Sequence, residues 1–284
     1  MSAINSKAVI KSDVGRAVQK AADSPLLEAM TRLGYGVRGF IYIIVGLLAA
    51  QVALGKGGAL ASPQGAIAVI GKQPAGLILL WVILVGVISY SIWGFVRAVL
   101  DPLDKGNDMS GLLTRFGFVA SALGYAFLAY STYGYISGHS QSANGSQTQK
   151  LIASVMAMPM GRWVIGILGL VVLGVGFYQI YLGFTAGFDR QFQTYALTSK
   201  EVKLVTDVGR FGTSARGVVF AVVGILISLA AYQANPSQPI GMDAALATLL
   251  HQPYGIWLLG IVAVGLMAFG FYSLLSAAWF RLKR

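Results

Sequence analysis

Residues 32–54 read RLGYGVRGFIYIIVGLLAAQVAL, an arginine and a glycine followed by a run long enough to cross a bilayer without a single carboxylate. The pattern returns twice. The openings Arg32-Leu33-Gly34, Arg115-Phe116-Gly117 and Arg210-Phe211-Gly212 each lead into an apolar run. Each run is followed by a polar connection, a Pro-x-Gly step (Pro74 to Gly76, Pro159 to Gly161, Pro253 to Gly255) and a second apolar run. A repeat of two helices per unit, with no catalytic constellation in it, fixes architecture before it says anything about activity.

Composition agrees. The chain has 56% hydrophobic and 11% charged residues and 36 glycines in 284 positions, too little charge to coat a soluble globule. Spans are expected at 34–54, 77–97, 116–136, 163–184, 212–232 and 256–278. Runs of this length must be helical, because a bilayer offers backbone groups no other partners. The first is read as a retained span rather than a signal sequence, since a long polar segment precedes it and its register matches the later units. The expected fold is an all-α integral membrane protein of six transmembrane helices. A cytoplasmic amphipathic segment at 1–31 precedes tandem repeats at 32–102, 115–188 and 210–279. An even number of helices per unit makes these parallel repeats, and closure into a ring would create a pseudo-threefold axis along the membrane normal.

The formal charge of +11 is distributed for a membrane rather than for nucleic acid. Alternate segments carry 17 of the lysines and arginines on one side and 4 on the other, which by the positive-inside rule places both termini in the cytoplasm. Ile10, Val14, Val18 and Ala21 recur at helical spacing among Lys7, Lys11, Arg16 and Lys20, a basic amphipathic helix suited to anionic headgroups. After it, Ser24 and Pro25 restart a helix as N-cap and first position. Short helices are expected in the external connections as well, over Ser62 to Lys72, Thr148 to Met158 and Asp243 to Gln252. They would rest on the outer face and close the bundle.

Within the spans, Gly39 and Gly46, Ala122 and Ala129, and Gly217 and Gly224 occupy matching places, two turns apart, where a neighbouring helix can approach closely. Arg38 and Arg216 also match, with Ser121 between them in the second unit. Two readings stand for these arginines: snorkelling to lipid phosphate from the first turns of a span, or contact with a bound anion. Trp93, Trp163, Trp257 and Trp279 read as interfacial belts, and Gln179 as interhelical glue.

Chemistry is otherwise sparse. No cysteine is present, His139 and His251 fall in different connections, and no carboxylate lies in mid-span to relay protons. No cofactor and no metal are expected. The stretches Arg32-Leu-Gly-Tyr-Gly-Val-Arg38-Gly39-Phe-Ile-Tyr42, Gln73-Pro74-x-Gly76 and Trp93-x-x-x-Arg97-Ala98-x-x-Asp101-Pro102 resemble the bacterial membrane proteins built from three tandem copies of domain of unknown function 1206. The resemblance spans nearly all of the chain beyond residue 25 and implies a six-span protein of the bacterial inner membrane. It brings no activity and no catalytic residues.

The expected function is therefore non-enzymatic, a membrane interaction or scaffold protein whose partners are anionic lipid headgroups on the cytoplasmic side and other membrane proteins, not nucleic acid. The alternative is a passive transporter or channel for a small solute along the axis. The topology is testable in this cysteine-free chain. Single cysteines at Gly57, Asn144 and Gln238 are expected to react with an impermeant thiol reagent in intact spheroplasts, and cysteines at Gly106 and Ser199 only after lysis. The reverse pattern would invert the orientation.

Overall fold

The computed structural model describes residues 25–101, 106, 108–138, 146–185 and 199–279, and among them all regular structure is α-helical. Six helices are long: α1 (Pro25–Ala53), α3 (Gly76–Leu100), α4 (Met109–Ile136), α6 (Gly161–Thr185), α7 (Ser199–Gln233) and α9 (Gly255–Trp279). Three are short: α2 (Pro63–Gly71), α5 (Ser146–Met156) and α8 (Met242–Leu250). The amphipathic helix expected around Ile10 to Ala21 lies outside the described residues.

Among the described residues five helices, α1, α3, α6, α7 and α9, are long and apolar enough to cross a membrane, so this is a multi-pass membrane protein. Helix α4 matches them in length, at 28 residues, and packs along α3. Two helices also start earlier than the hydrophobic runs suggest. Helix α1 begins at Pro25, and its first turns carry an ion pair of 2.8 Å between Glu28 and Arg32, while α7 begins at Ser199.

The Pro-x-Gly steps are three copies of one turn. Gly76, Gly161 and Gly255 donate their N–H to Gln73, Met158 and Gln252 at 2.8, 2.9 and 2.8 Å. The middle residues Ala75, Met160 and Tyr254 have φ of 62°, 62° and 61°, which with proline before them makes a type II turn. The glycine is obligatory, because a Cβ there would collide with the carbonyl of Ile70, Val155 or Leu250 in the last turn of the short helix. Each turn thus clamps a short helix onto the start of the next long one.

The short helices themselves follow from local chemistry. Ser62 Oγ accepts from Gly65 N–H at 3.3 Å with Pro63 at the first helical position, capping α2. These helices do not merely lie over the outer face. Ala66, Ile67 and Ile70 of α2 and Ala245 and Leu246 of α8 are buried in the same core as Val45, Leu80, Val87, Leu259 and Leu266, so they plug that end of the bundle. Apolar faces this complete gain more by entering the core than by resting on it.

The long helices follow a cyclic order of contact: α3 packs on α4, α6 on α7, and α9 on α1. Each seam joins the second helix of one unit to the first helix of the next, and the last unit returns to the first. Small residues sit at each seam. A Cβ on Gly39 would stand 2.7 Å from the carbonyl oxygen of Gly270, and one on Gly217 would stand 2.8 Å from that of Gly176. At the matching place between α3 and α4, the Ala122 carbonyl accepts from Ser91 Oγ at 2.9 Å. Two turns on, Gly46 faces the Ala263 carbonyl and Gly224 the Gly169 carbonyl, each 2.8 Å from a would-be Cβ, and Ala129 is buried.

The opening arginines of the second and third units belong to the same seams. Arg115 donates to the carbonyls of Ala98 (2.7 Å) and Val99 (3.1 Å), and Arg210 to those of Gly183 (3.1 Å) and Phe184 (2.7 Å). The guanidinium fork satisfies carbonyls that a helix leaves without partners at its C-terminus, and its charge suits the negative end of the dipole.

Inside the units the symmetry of contact fails. Helix α1 packs on α3 and α7 on α9, but α4 and α6 scarcely touch. Gly34 backs onto Tyr90 and Gly86 onto Val37 in the first unit; Gly212 backs onto Phe269 and Gly265 onto Ala215 in the third. In the second unit the equivalent of Gly34 is Gly117, which has no described atom within 4 Å of its would-be Cβ, and Val171 replaces the glycine of α3 and α9. The hydroxyls of Thr114 and Tyr178, 3.2 Å apart, bridge the two helices. Helix α6 is the least buried of the five apolar helices.

Leucine in place of Gly46 or Gly224 is expected to cost about 1–3 kcal/mol of stability, since the backbone of the facing helix has no rotamer to yield. Leucine at Gly174, which faces open space on α6, is expected to be mild. Thermal unfolding in detergent distinguishes them, and equal midpoints for all three variants would show that the seams are not tight.

A candidate functional site of three arginines among aromatic rings

Tyr35, Arg38, Tyr42, Val45 and Ala49 follow one another at three- and four-residue spacing along α1 and are all buried, so a single inward stripe carries a charge. Arg38 is 6% exposed and lies about 20 Å along the helix from Pro25. Its Nη1 donates to the Tyr90 hydroxyl, and its Nε and Nη2 donate to Ser273 Oγ at 3.1 and 2.9 Å. Its guanidinium carbon stands 4.7 Å from the ring centre of Tyr35, 4.9 Å from that of Tyr90 and 4.8 Å from that of Phe269. A snorkelling side chain would lie along the outside of the helix. Arg38 does the opposite, because its place on the buried stripe of α1 turns it toward Tyr90 of α3 and Ser273 of α9.

Arg216 of α7 meets the same aromatic group from the other side. Its Nε donates to the Tyr42 hydroxyl at 2.9 Å, and its guanidinium lies 5.3 Å from Tyr42, 4.8 Å from Phe220 and 4.8 Å from Phe269. Phe269 therefore lies 4.8 Å from each of two guanidiniums. Arg216 retains partial exposure where Arg38 has nearly none.

A third arginine enters that the sequence placed only in a motif. Arg97, on the last turn of α3, is buried over Phe118 of α4 at 4.4 Å, with Tyr90 and Trp93 at 5.5 and 5.6 Å. Its Nη1 reaches the Tyr35 hydroxyl at 3.4 Å, and its Nε has no hydrogen-bond partner among the described residues. Trp93 is fully buried here and so does not belong to an interfacial belt, whereas Trp163 and Trp257 are 73% and 74% exposed. Edge-on packing of Tyr35 on Tyr90 (5.3 Å) and tilted packing of Tyr125 on Tyr90 (4.4 Å) complete the group. The Tyr125 hydroxyl is buried without a partner among the described residues.

No described carboxylate pairs with any of the three guanidiniums. A charge in an apolar interior is costly, and the offset here comes from hydroxyls that accept charged hydrogen bonds and from ring faces, each cation–π contact contributing roughly 0.5–2 kcal/mol. Guanidinium suits this role because it is weakly hydrated and keeps its proton. The arrangement supplies a fixed positive potential and hydrogen-bond donors.

The remaining candidates stay dispersed. Gln179 is buried, and its Oε1 has no partner among the described residues. His251 is exposed with its Nδ1 2.7 Å from the Ala247 carbonyl oxygen, and His139 lies outside the described residues. No group of three metal-ligating side chains gathers among the described residues. Sequence reasoning found Arg38 and Arg216 but missed Arg97, Tyr35, Tyr90, Tyr125, Phe269 and Ser273. The available signal was aromatic residues at helical spacing from each arginine: Tyr35 and Tyr42 about Arg38, Tyr90 and Trp93 before Arg97, and Phe220 after Arg216.

Comparison with known proteins matches the family model named Domain of Unknown Function (DUF1206) three times, over residues 33–101, 116–186 and 211–279. The uncharacterized protein YxxB of Bacillus subtilis (strain 168) is 32% identical over 260 residues, covering 92% of this chain and 94% of that protein. No solved structure matches. With three tandem matches over most of its length, the chain belongs to the family of Domain of Unknown Function 1206 proteins.

Proposed function

We propose that this is a non-enzymatic membrane interaction protein of the bacterial cell (inner) membrane, with six spans, both termini cytoplasmic, and three hairpins closed into a pseudo-threefold ring. The cyclic order of the seams, with Gly39 on Gly270, Ala122 by Ser91 and Gly217 on Gly176, supports the ring. Helix α4 serves as the sixth span: its 28 residues give it about 40 Å of length, and its Tyr125 and Thr132 are buried inside the bundle. The 17-to-4 distribution of basic residues supports the orientation.

The observation that carries the interaction reading is the open middle hairpin. Two of three units close on themselves, while α4 and α6 leave a cleft in the wall of the ring where a lipid or a partner helix can seat. Against a channel along the axis stands the aliphatic plug made by Val45, Leu80, Val87, Leu259, Leu266 and the inward residues of α2 and α8. Reconstitution into liposomes tests the choice. Permeability to sodium, chloride, phosphate and glycerol is expected to equal that of protein-free vesicles. Saturable flux abolished by Arg216→Gln would establish the transporter instead.

A further inference from the structure

We propose that the cleft between α4 and α6 is the entrance to a binding site for an anionic amphiphile, whose phosphate or carboxylate head pairs with Arg216 while its hydrocarbon chain lies in the cleft. The proposal deepens the interaction reading and rests on its placement of the protein in a bilayer.

Helical phase sets the direction. On α7, Ala215 faces Gly265 of α9 and Gly217 faces Gly176 of α6, so Arg216 between them points to the interior those two helices flank. On α1, Val37 faces Gly86 and Gly39 faces Gly270, and Arg38 between them points inward likewise. On α4, Ala122 faces α3 through Ser91 and Gly94, which leaves Ser121 inward and turns Ala120 to the side of α6. That side is open: neither Gly117 nor Gly124 has a described atom within 4 Å of a would-be Cβ, and the same holds for Gly174 across the cleft. The second unit, the one that lacks an inward arginine, is thus the one whose hairpin is open.

Two buried polar groups point to a ligand independently of the cleft. The Tyr125 hydroxyl on α4 is 8% exposed and unpartnered among the described residues, and Arg97, 5% exposed, has an unpartnered Nε. Both are donors, and three guanidiniums without a paired described carboxylate make the interior complementary to negative charge. Arg216, the arginine that keeps partial exposure, is the one positioned to meet an incoming head. A free phosphate would satisfy the charge but leave an apolar cleft facing lipid; an amphiphile satisfies both.

The test uses the full chain in zwitterionic detergent, titrated with phosphatidylglycerol, phosphatidylcholine or inorganic phosphate and followed by native mass spectrometry. Phosphatidylglycerol is expected to bind one to one and about tenfold or more tighter than phosphatidylcholine. The double variant Gly117→Leu/Gly124→Leu, which fills open space and leaves the seams untouched, is expected to weaken it by about tenfold or more, as is Arg216→Gln. Inorganic phosphate is not expected to compete. Equal binding of the two lipids, or unchanged affinity in the double variant, overturns the site. Competition by inorganic phosphate at equal affinity overturns the amphiphile in favour of a free anion. Loss of the site with liposomes still tight leaves the interaction reading standing, and solute flux with lipid binding intact removes that reading alone.

Discussion

Three guanidiniums lie inside a helix bundle with no described carboxylate paired to them, and much of the packing around them carries that charge. Tyr90 and Ser273 take the donors of Arg38, Tyr42 takes that of Arg216, and Phe269 presents a ring to both. These contacts join α1, α3, α7 and α9, so the same interactions that make the charge tolerable also tie the first unit to the third. Removing one hydroxyl would leave an ion short of a partner in an apolar surrounding, a larger penalty than the loss of an ordinary hydrogen bond.

The seams let the helices come close enough for this. Backbone meets backbone at Gly39 and Gly270 and at Gly217 and Gly176, and arginines at the openings of the later units cap the preceding helix. Without a hydrophobic drive between helices in lipid, such close contact and interhelical hydrogen bonding supply the association. The repeat then departs from its own rule at one place. Where the first and third units use Gly86 and Gly265 to close their hairpins, the second carries Val171, and its two helices stand apart. Ser121 replaces the inward arginine in the same unit, so the loss of the charge and the loss of the closure coincide.

The architecture was legible because its signals are local. The three apolar pairs, the Ser62 cap and the Pro-x-Gly steps each depend on neighbours in sequence. The burial of Arg38 was not, because it depends on which helices α1 meets: its partners Tyr90 and Ser273 lie 52 and 235 positions away. Trp93 misled for a related reason, since a tryptophan near a helix end reads as a belt unless the facing helix is known. The sharing of Phe269 between residues 178 positions apart is beyond any local pattern. The open hairpin was in principle visible, because valine stands at 171 where the other units have glycine.

The most direct test is the exchange of the arginine Nε–H protons with deuterated solvent, followed by NMR on arginine-labelled protein in lipid nanodiscs, with signals assigned by single Arg→Lys variants. The Arg38 signal is expected to persist after that of Arg32 has gone, because its Nε donates to Ser273 inside the bundle. Exchange of Arg38 as fast as Arg32 would place it in water at the lipid headgroups and contradict the interior charge on which this structure depends.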